Sequence, residues 1–272
     1  MRNLGLTLFG TMMVICLSFG QNESKQNLDG AAANATNPLA FVTKFQIQPN
    51  YTFKDNSATQ FSFITRIIQP SATVGLPFVK SKDPSKIYTM YRLEVPVIGQ
   101  TFPENPNLDA TGLSDLIILD VVAFKQDWGL LGVGPGLIIP TATDPSIGSG
   151  KWSTGLTGVY LNTKTKGLQF GALVQQFFSF AGQSDRSDQN FMLFQPILNK
   201  ILDKGYFIQF SPIMNFNWET DQYSIPLAIG FGRAFAKNLS MFIAPEYVVS
   251  GPNKGDFTIR LNVNAMFAPV QK

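Results

Sequence analysis

Six charged residues lie on the polar side of segments in which polar and apolar residues alternate. They are Lys44, Arg66, Arg92, Glu94, Glu246 and Arg260. Charged side chains around a confined aqueous path can select solutes by charge and size. The same side chains can instead pair with one another and fill the space, as Glu246 and Arg260 would. The sequence leaves both interpretations open.

The chain contains no histidine. Histidine is the commonest general base and the commonest metal ligand in proteins. Its absence excludes nucleophiles that depend on a Ser–His or Cys–His pair. No spacing of the remaining carboxylates or lysines singles out a catalytic group, so the sequence predicts no enzyme activity, no cofactor and no metal site.

Two glycine-rich segments superficially resemble nucleotide-binding motifs. Residues 148–152 resemble a phosphate loop, but Pro145 stands where the first glycine belongs and Trp152 replaces the Ser or Thr that would meet magnesium. Three glycines in residues 132–136 share one face of a strand, with no βαβ unit around them to bind a dinucleotide. We expect these three to leave space for a neighbouring side chain or for a pore.

The clearest alternation lies in residues 257–267, where apolar residues take one parity and Met266 is the exception on the other. The polar parity holds Thr258, Arg260, Asn262 and Asn264. Successive side chains of a strand point to opposite faces, so this segment has one apolar and one polar surface. The pattern recurs about a dozen times, which predicts an all-β chain folded as an antiparallel transmembrane β-barrel, apolar outside and wet inside.

We predict about twelve strands, an even number as in single-chain outer-membrane barrels. They cover residues 41–51, 59–69, 87–97, 113–125, 129–139, 151–162, 167–180, 190–202, 205–218, 222–235, 239–249 and 257–267. Short connections alternate with long ones along most of the chain, as in barrels with tight turns at one end and long loops at the other. The connection 70–85 breaks this alternation, because it is long where a short turn is expected.

Four prolines fall inside predicted strands, namely Pro196, Pro212, Pro226 and Pro245. Proline cannot donate to the hydrogen-bond ladder and normally occurs at sheet edges or bulges. A closed barrel has no free edge, so we expect bulges at these positions.

Trp128, Trp152 and Trp218 lie at predicted strand ends. Interface girdles of membrane barrels use such rings, because one part of the ring prefers hydrocarbon and another prefers water. The alternative is that they are rim residues of a soluble barrel. We favour the girdle.

The N-terminus predicts export. A short positive start, an apolar stretch over 4–19 and small residues before Gln21 predict a cleaved signal peptide at 1–20. Residues 21–38 are predicted to be a flexible periplasmic leader, and 39–272 an outer-membrane β-barrel. The lumen of about twelve strands should be narrow or plugged, and the leader is a candidate to enter it.

From residue 111 onward the chain contains seven short motifs whose order and spacing together form a recognisable pattern. They are 111–115, 132–143, 147–152, 174–182, 195–196, 212–218 and 225–232. In these the chain resembles the outer-membrane family named for the MetA pathway of phenol degradation. The resemblance implies an outer-membrane barrel with a passive role in solute uptake and implies that in-strand prolines are tolerated. It supplies no binding residues and does not establish phenol as a substrate.

We therefore expect a passive channel in a Gram-negative outer membrane for small solutes, hydrophobic or aromatic ones among them. The alternative is a non-transporting structural or adhesive barrel whose outer loops bind partners. The expected partners are the lipid bilayer and a small-molecule solute, with no nucleic acid. The sequence leaves the oligomeric state open.

Overall fold

The structure of the chain is a computed structural model that describes residues 28–72 and 83–269. The predicted signal peptide, residues 1–20, lies outside the described residues, as do 73–82 of the long connection. Within the described ranges, no helix has both the length and the hydropathy needed to span a membrane.

In the described part of the chain, one helix precedes fourteen strands. In chain order they are α1 Leu28–Thr36, β1 Thr43–Phe53, β2 Thr59–Ser71, β3 Ile87–Thr101, β4 Ala110–Leu113, β5 Leu116–Gln126, β6 Gly129–Ile139, β7 Lys151–Asn162, β8 Leu168–Gly182, β9 Asn190–Ile201, β10 Tyr206–Phe210, β11 Met214–Asn217, β12 Gln222–Ala236, β13 Leu239–Ser250 and β14 Phe257–Phe267. Short 3₁₀ turns lie at Pro106–Leu108, Pro145–Ile147 and Asp203–Gly205.

The strands form a closed antiparallel barrel with twelve positions around its wall. We call each position a stave. The pairs β4/β5 and β10/β11 each fill one stave in series, and every other stave is a single strand. The first strand pairs with the last over nearly its whole length, from Thr43 opposite Phe267 to Phe53 opposite Phe257. The predicted all-β barrel of about twelve strands is confirmed.

The outer surface of the wall is apolar around most of its circumference. Leu156 and Ile229 are 66% and 61% exposed, and aromatic residues such as Phe231 and Tyr247 stand beside them. An extended apolar surface of this kind is unfavourable in water and is what a lipid-facing barrel wall requires. The alternating strands therefore point their apolar residues outward and their polar residues into the lumen, as predicted.

Helix α1 lies inside the barrel, at the end where the short turns 127–128, 163–167 and 237–238 are found. Its buried Ala31 and Ala32 pack against Phe207, Phe242 and neighbouring small residues of the wall. The predicted flexible leader is therefore wrong for residues 28–38. Alanine-rich segments of this length are marginal helices alone, and packing against the wall stabilises this one.

The barrel wall also makes polar contacts near both ends of α1. Asp29, in the first turn, accepts a hydrogen bond from the backbone N–H of Gly205 at 2.8 Å. At the other end Gln169 donates to the carbonyl of Ala33 at 2.9 Å. Asn199 donates to the carbonyl of Thr36 at 3.3 Å. Helix α1 is therefore fixed by polar contacts as well as by packing.

The segment after α1 continues along the lumen. Leu39 is 2% exposed and packs in an apolar cluster with residues of β3, β5 and β6. A side chain at Gly132 would collide with Leu39, with its β-carbon 2.9 Å from the leucine methyl. The space that the glycines of β6 were expected to leave is thus used for packing. We call residues 28–41 the plug.

Two staves are interrupted, and both breaks have a local cause. Pro212 separates β10 from β11, since it cannot donate to either neighbouring strand. Asp115 separates β4 from β5, and its carboxylate accepts from Ser149 N–H and Oγ, each at 2.7 Å. These bonds hold the loop 140–150 against the wall instead of continuing a ladder.

The expectation of a bulge at each in-strand proline is confirmed at Pro226, where the β12–β13 register shifts. It is wrong at Pro196 and Pro245, which lie in unshifted register with β8 and β14. Pro196 faces the break between β10 and β11, so β9 has no ladder to complete on that side among the described residues. A missing donor is tolerated where a ladder already lapses.

We expect Gly230→Ala to destabilise the barrel by about 1–3 kcal/mol, because the new β-carbon would lie 1.8 Å from the Phe242 ring that supports α1. The matched control is Gly158→Ala, where nothing lies within 4 Å, and its effect should stay within about 0.5 kcal/mol. Urea unfolding in detergent micelles measures both. Equal stability of the two variants would contradict the packing described here.

Candidate functional site: a charged cavity in the lumen

A cavity of about 210 Å³ lies in the lumen, with Ala35, Thr36 and Pro38 of the plug among its lining residues. Five of the six charged candidates line it: Lys44, Arg66, Arg92, Glu94 and Arg260. The closure of β14 onto β1 brings their strands side by side. The sixth, Glu246, reaches this group through Arg260.

Glu94 is shared between two arginines on neighbouring strands. Arg66 Nε donates to its Oε2 at 2.6 Å, and Arg92 donates to the same oxygen at 3.1 Å. Arg66 is also held by Gln48, whose Oε1 lies 2.7 Å from its NH1. One carboxylate therefore neutralises one of two cations, and the second positive charge remains.

The other two cations are held differently. Arg260 forms an ion pair with Glu246. This is the pair expected if the charged side chains pair with one another and fill the lumen. Lys44 is 2% exposed and donates to the backbone carbonyl of Asn37 at 2.6 Å. Lys44 thus ties the plug to β1, while the other charges lie on the wall itself.

Amide side chains complete the charged wall. Gln46 donates to Asn264 at 2.7 Å and to Asn262 at 3.2 Å, and Asn262 donates in turn to Gln48 at 3.3 Å. The sequence placed Asn262 and Asn264 on the polar parity, but the hydrogen bonding among these amides was missed. The signal was present: each lies two positions along a strand from another inward polar residue.

The opposite side of the same cavity is apolar. Leu173, Phe177, Ile197 and Phe207 line it, with Gln175 and Gln195 between them. The uniformly apolar sequences of β5 and β6 belong to this side, where inward residues such as Leu119 and Val121 join the cluster around Leu39. The lumen is therefore two-sided, with a cationic wall from β14 to β3 and an apolar wall from β5 to β9.

A wider cup of about 630 Å³ opens at the long-loop end. Hydroxyl and amide groups of the wall and of loops 140–150 and 183–189 line it. Arg186 fastens the two loops together by donating to the carbonyls of Pro145, Gly148 and Ser149. The cup gives the lumen a hydrophilic mouth.

The three tryptophans lie at strand ends on the outer surface or its rim. Trp152 and Trp218 stand at the long-loop end, 38% and 52% exposed. Trp218 Nε1 donates to Gln176 at 3.0 Å. Trp128 stacks on Tyr160 at the short-turn end, with ring centroids 4.9 Å apart. This placement is compatible with the girdle, which stays a prediction.

Comparison with known proteins shows the fold and no more. No family model matches the chain, so the family named for the MetA pathway is not shown, and no curated protein matches either. A solved outer membrane channel from Pseudomonas putida F1 matches with a TM-score of 0.66 and 12% identity, over 85% of this chain and 99% of that one. The NanC porin matches with a TM-score of 0.53 and 12% identity, over 81% and 98%. The chain thus has the fold of outer-membrane channel and porin barrels.

The prediction that the chain has no enzyme activity is wrong as an exclusion. Outer membrane phospholipase A from Escherichia coli, an enzyme barrel, also matches, with 11% identity over 87% of this chain and 97% of that one and a TM-score of 0.49. The comparisons therefore include an enzyme beside the channels and do not exclude enzyme activity.

Lys151 anchors the loop 183–189 electrostatically. Its Nζ lies 3.0 Å from Asp188 Oδ1, and this hydrogen-bonded ammonium lowers the pKa of the Asp188 carboxyl, with Ser179 adding to the effect. A lowered carboxyl pKa means that the ion pair is present at neutral pH and is lost as the pH falls through that lowered value.

We expect Lys151→Met to raise the pKa of Asp188 toward its ordinary value of 3.8. Side-chain carboxyl NMR titration measures the change. Asp144 is an internal control, because its pKa is lowered by hydrogen bonds from Ser146 and not by a lysine. A shift of both carboxyls, or of neither, would show that Lys151 does not hold the loop in this way.

Proposed function

We propose that the chain is a passive channel of the outer membrane, exported through a cleaved signal peptide, that admits small solutes. The single observation that supports this most is the open cavity between the cup and the plug, lined by charged and amide side chains. A barrel that served only as a scaffold would gain stability from filling this space, because unfilled volume forfeits packing. The family resemblance supports hydrophobic or aromatic solutes within this class.

Passage through the lumen requires the plug to shift. The buried residues of its helix are Ala31, Ala32 and Thr36, so α1 buries little apolar area against the wall. Asn199, whose amide donates to the carbonyl of Thr36, has a buried Oδ1 atom with no hydrogen-bond partner among the described residues. Release of α1 would therefore cost far less than opening the barrel, whose strands are paired on both sides.

A non-transporting barrel is the second candidate, and one observation favours it. Ala31, Ala32 and Leu39 fill the short-turn half of the lumen with apolar contacts. A permanently docked plug would close the barrel to solutes. The two candidates differ in whether current flows when the plug is disturbed.

We expect Ala32→Trp to raise single-channel conductance in planar bilayers. Ala32 is fully buried against the wall, so the larger ring forces α1 out of its seat. Asn34→Trp is the matched control, since Asn34 is exposed on the same helix. The absence of current from both variants would favour the non-transporting barrel. Heat-modifiable migration on gels would show that both barrels are folded.

We expect Arg92→Ala and Arg260→Ala each to shift the reversal potential in a salt gradient toward cation preference, since each removes a positive charge from the lumen. Arg233→Ala is the control, because Arg233 lies over the Tyr206 ring on the outer surface, 4.6 Å from its centroid. Unaltered currents in both lumen variants would remove these arginines from the selectivity machinery. Swelling of proteoliposomes in sugars and aromatic acids of graded size then defines the solute class.

A further inference from the structure

The charges around the lumen cavity do not balance. Three arginines, Arg66, Arg92 and Arg260, face two carboxylates, Glu94 and Glu246. The surplus is one formal positive charge in a confined space walled by protein. Unpaired charge in such a space is costly, and a bound anion relieves the cost.

Arg92 is the cation best placed to take that anion. It contributes one bond to Glu94, an oxygen that Arg66 already approaches more closely. Its Nε atom is buried and has no hydrogen-bond partner among the described residues. A planar guanidinium with unused donors binds a carboxylate through two parallel hydrogen bonds.

The wall opposite Arg92 excludes the simplest anions as preferred occupants. Leu173, Phe177 and Ile197 line the same cavity and offer no charge, and the amides of Gln175 and Gln195 between them are neutral. Chloride or acetate would leave this surface in contact with water, whereas an apolar group would cover it at a gain of about 25 cal/mol per Å² buried.

From this two-sided cavity we infer a binding site for a small carboxylate with an apolar body, with its carboxylate on Arg92 and its body on the wall of Leu173, Phe177 and Ile197. The inference rests on the proposed function to the extent that solutes reach the lumen. The cavity of about 210 Å³ is below the range of about 300–1,000 Å³ typical of drug-sized ligands. The ligand is therefore of the size of one ring or one short chain.

Equilibrium dialysis of the detergent-solubilised full chain against radiolabelled benzoate tests the site without any need for conduction. We expect saturable binding of benzoate and competition by cyclohexanecarboxylate, which keeps the charge and the apolar body. Acetate lacks the body, and benzyl alcohol lacks the charge, so each should compete far more weakly. Equal competition by acetate and benzoate would overturn the role of the apolar wall.

Two substitutions should move the affinity in opposite directions. Arg92→Gln should weaken benzoate binding roughly tenfold or more, since it removes a charge-assisted hydrogen-bond donor. Glu94→Gln should strengthen binding, because it removes the carboxylate that competes for both arginines. Arg233→Gln, on the outer surface, should leave the affinity unchanged. If Arg92→Gln does not fold, the Glu94→Gln result decides, and unchanged or weaker binding there overturns the site.

Conductance measured on the same preparation separates this inference from the proposed function. Saturable benzoate binding without current in either the native chain or Ala32→Trp would overturn the channel and leave the binding site. Current without saturable benzoate binding would overturn the binding site and leave the channel.

Discussion

Pairing of β1 with β14 is the constraint on which the rest of the structure depends. In hydrocarbon no water is present to satisfy unpaired backbone groups, so a sheet can cross only if it closes on itself. Closure places the two ends of the strand sequence next to each other, from Thr43–Phe267 to Phe53–Phe257. The same contact sets Gln46 beside Asn264 and Asn50 beside Arg260, which assembles the cationic wall from residues more than two hundred positions apart.

The two-sided lumen follows from two kinds of strand in one barrel. Strands such as β14 alternate with few exceptions, because one face meets lipid and the other meets water. Strands β5 and β6 carry apolar residues on both faces, because their inner face meets Leu39 and other apolar side chains. The plug is therefore part of the reason for the sequence of the wall that surrounds it. An entirely wet lumen would have imposed alternation on every stave.

Period-two alternation predicted the strands well where it was regular, and β7 and β14 have the predicted bounds. Strand β6 also has the predicted bounds, although its sequence is apolar on both faces. The alternation failed where a side chain overrides the ladder. Pro212 removes a donor, so the predicted strand 205–218 is two strands, β10 and β11. The carboxylate of Asp115 holds the loop at Ser149, so the predicted strand 113–125 begins only at Leu116, and β4 before it was missed. The sequence of α1 did not predict a helix, because contacts with distant wall residues stabilise it and its own sequence lacks a clear helical periodicity. The charged residues could be assigned to the lumen from parity, but their bonding could not, since it depends on the rotamers of several neighbouring strands.

The plug has a consequence for the order in which the molecule is completed. Helix α1 is the first described segment of the chain, yet its seat is built from Gly205, Phe207 and Phe242. These residues belong to some of the last strands to be synthesised. This binding surface forms only when those strands have joined the barrel, so the amino-terminal segment cannot dock before the barrel has largely assembled. Contacts between such distant positions form slowly. Docking of α1 is accordingly the last step of folding.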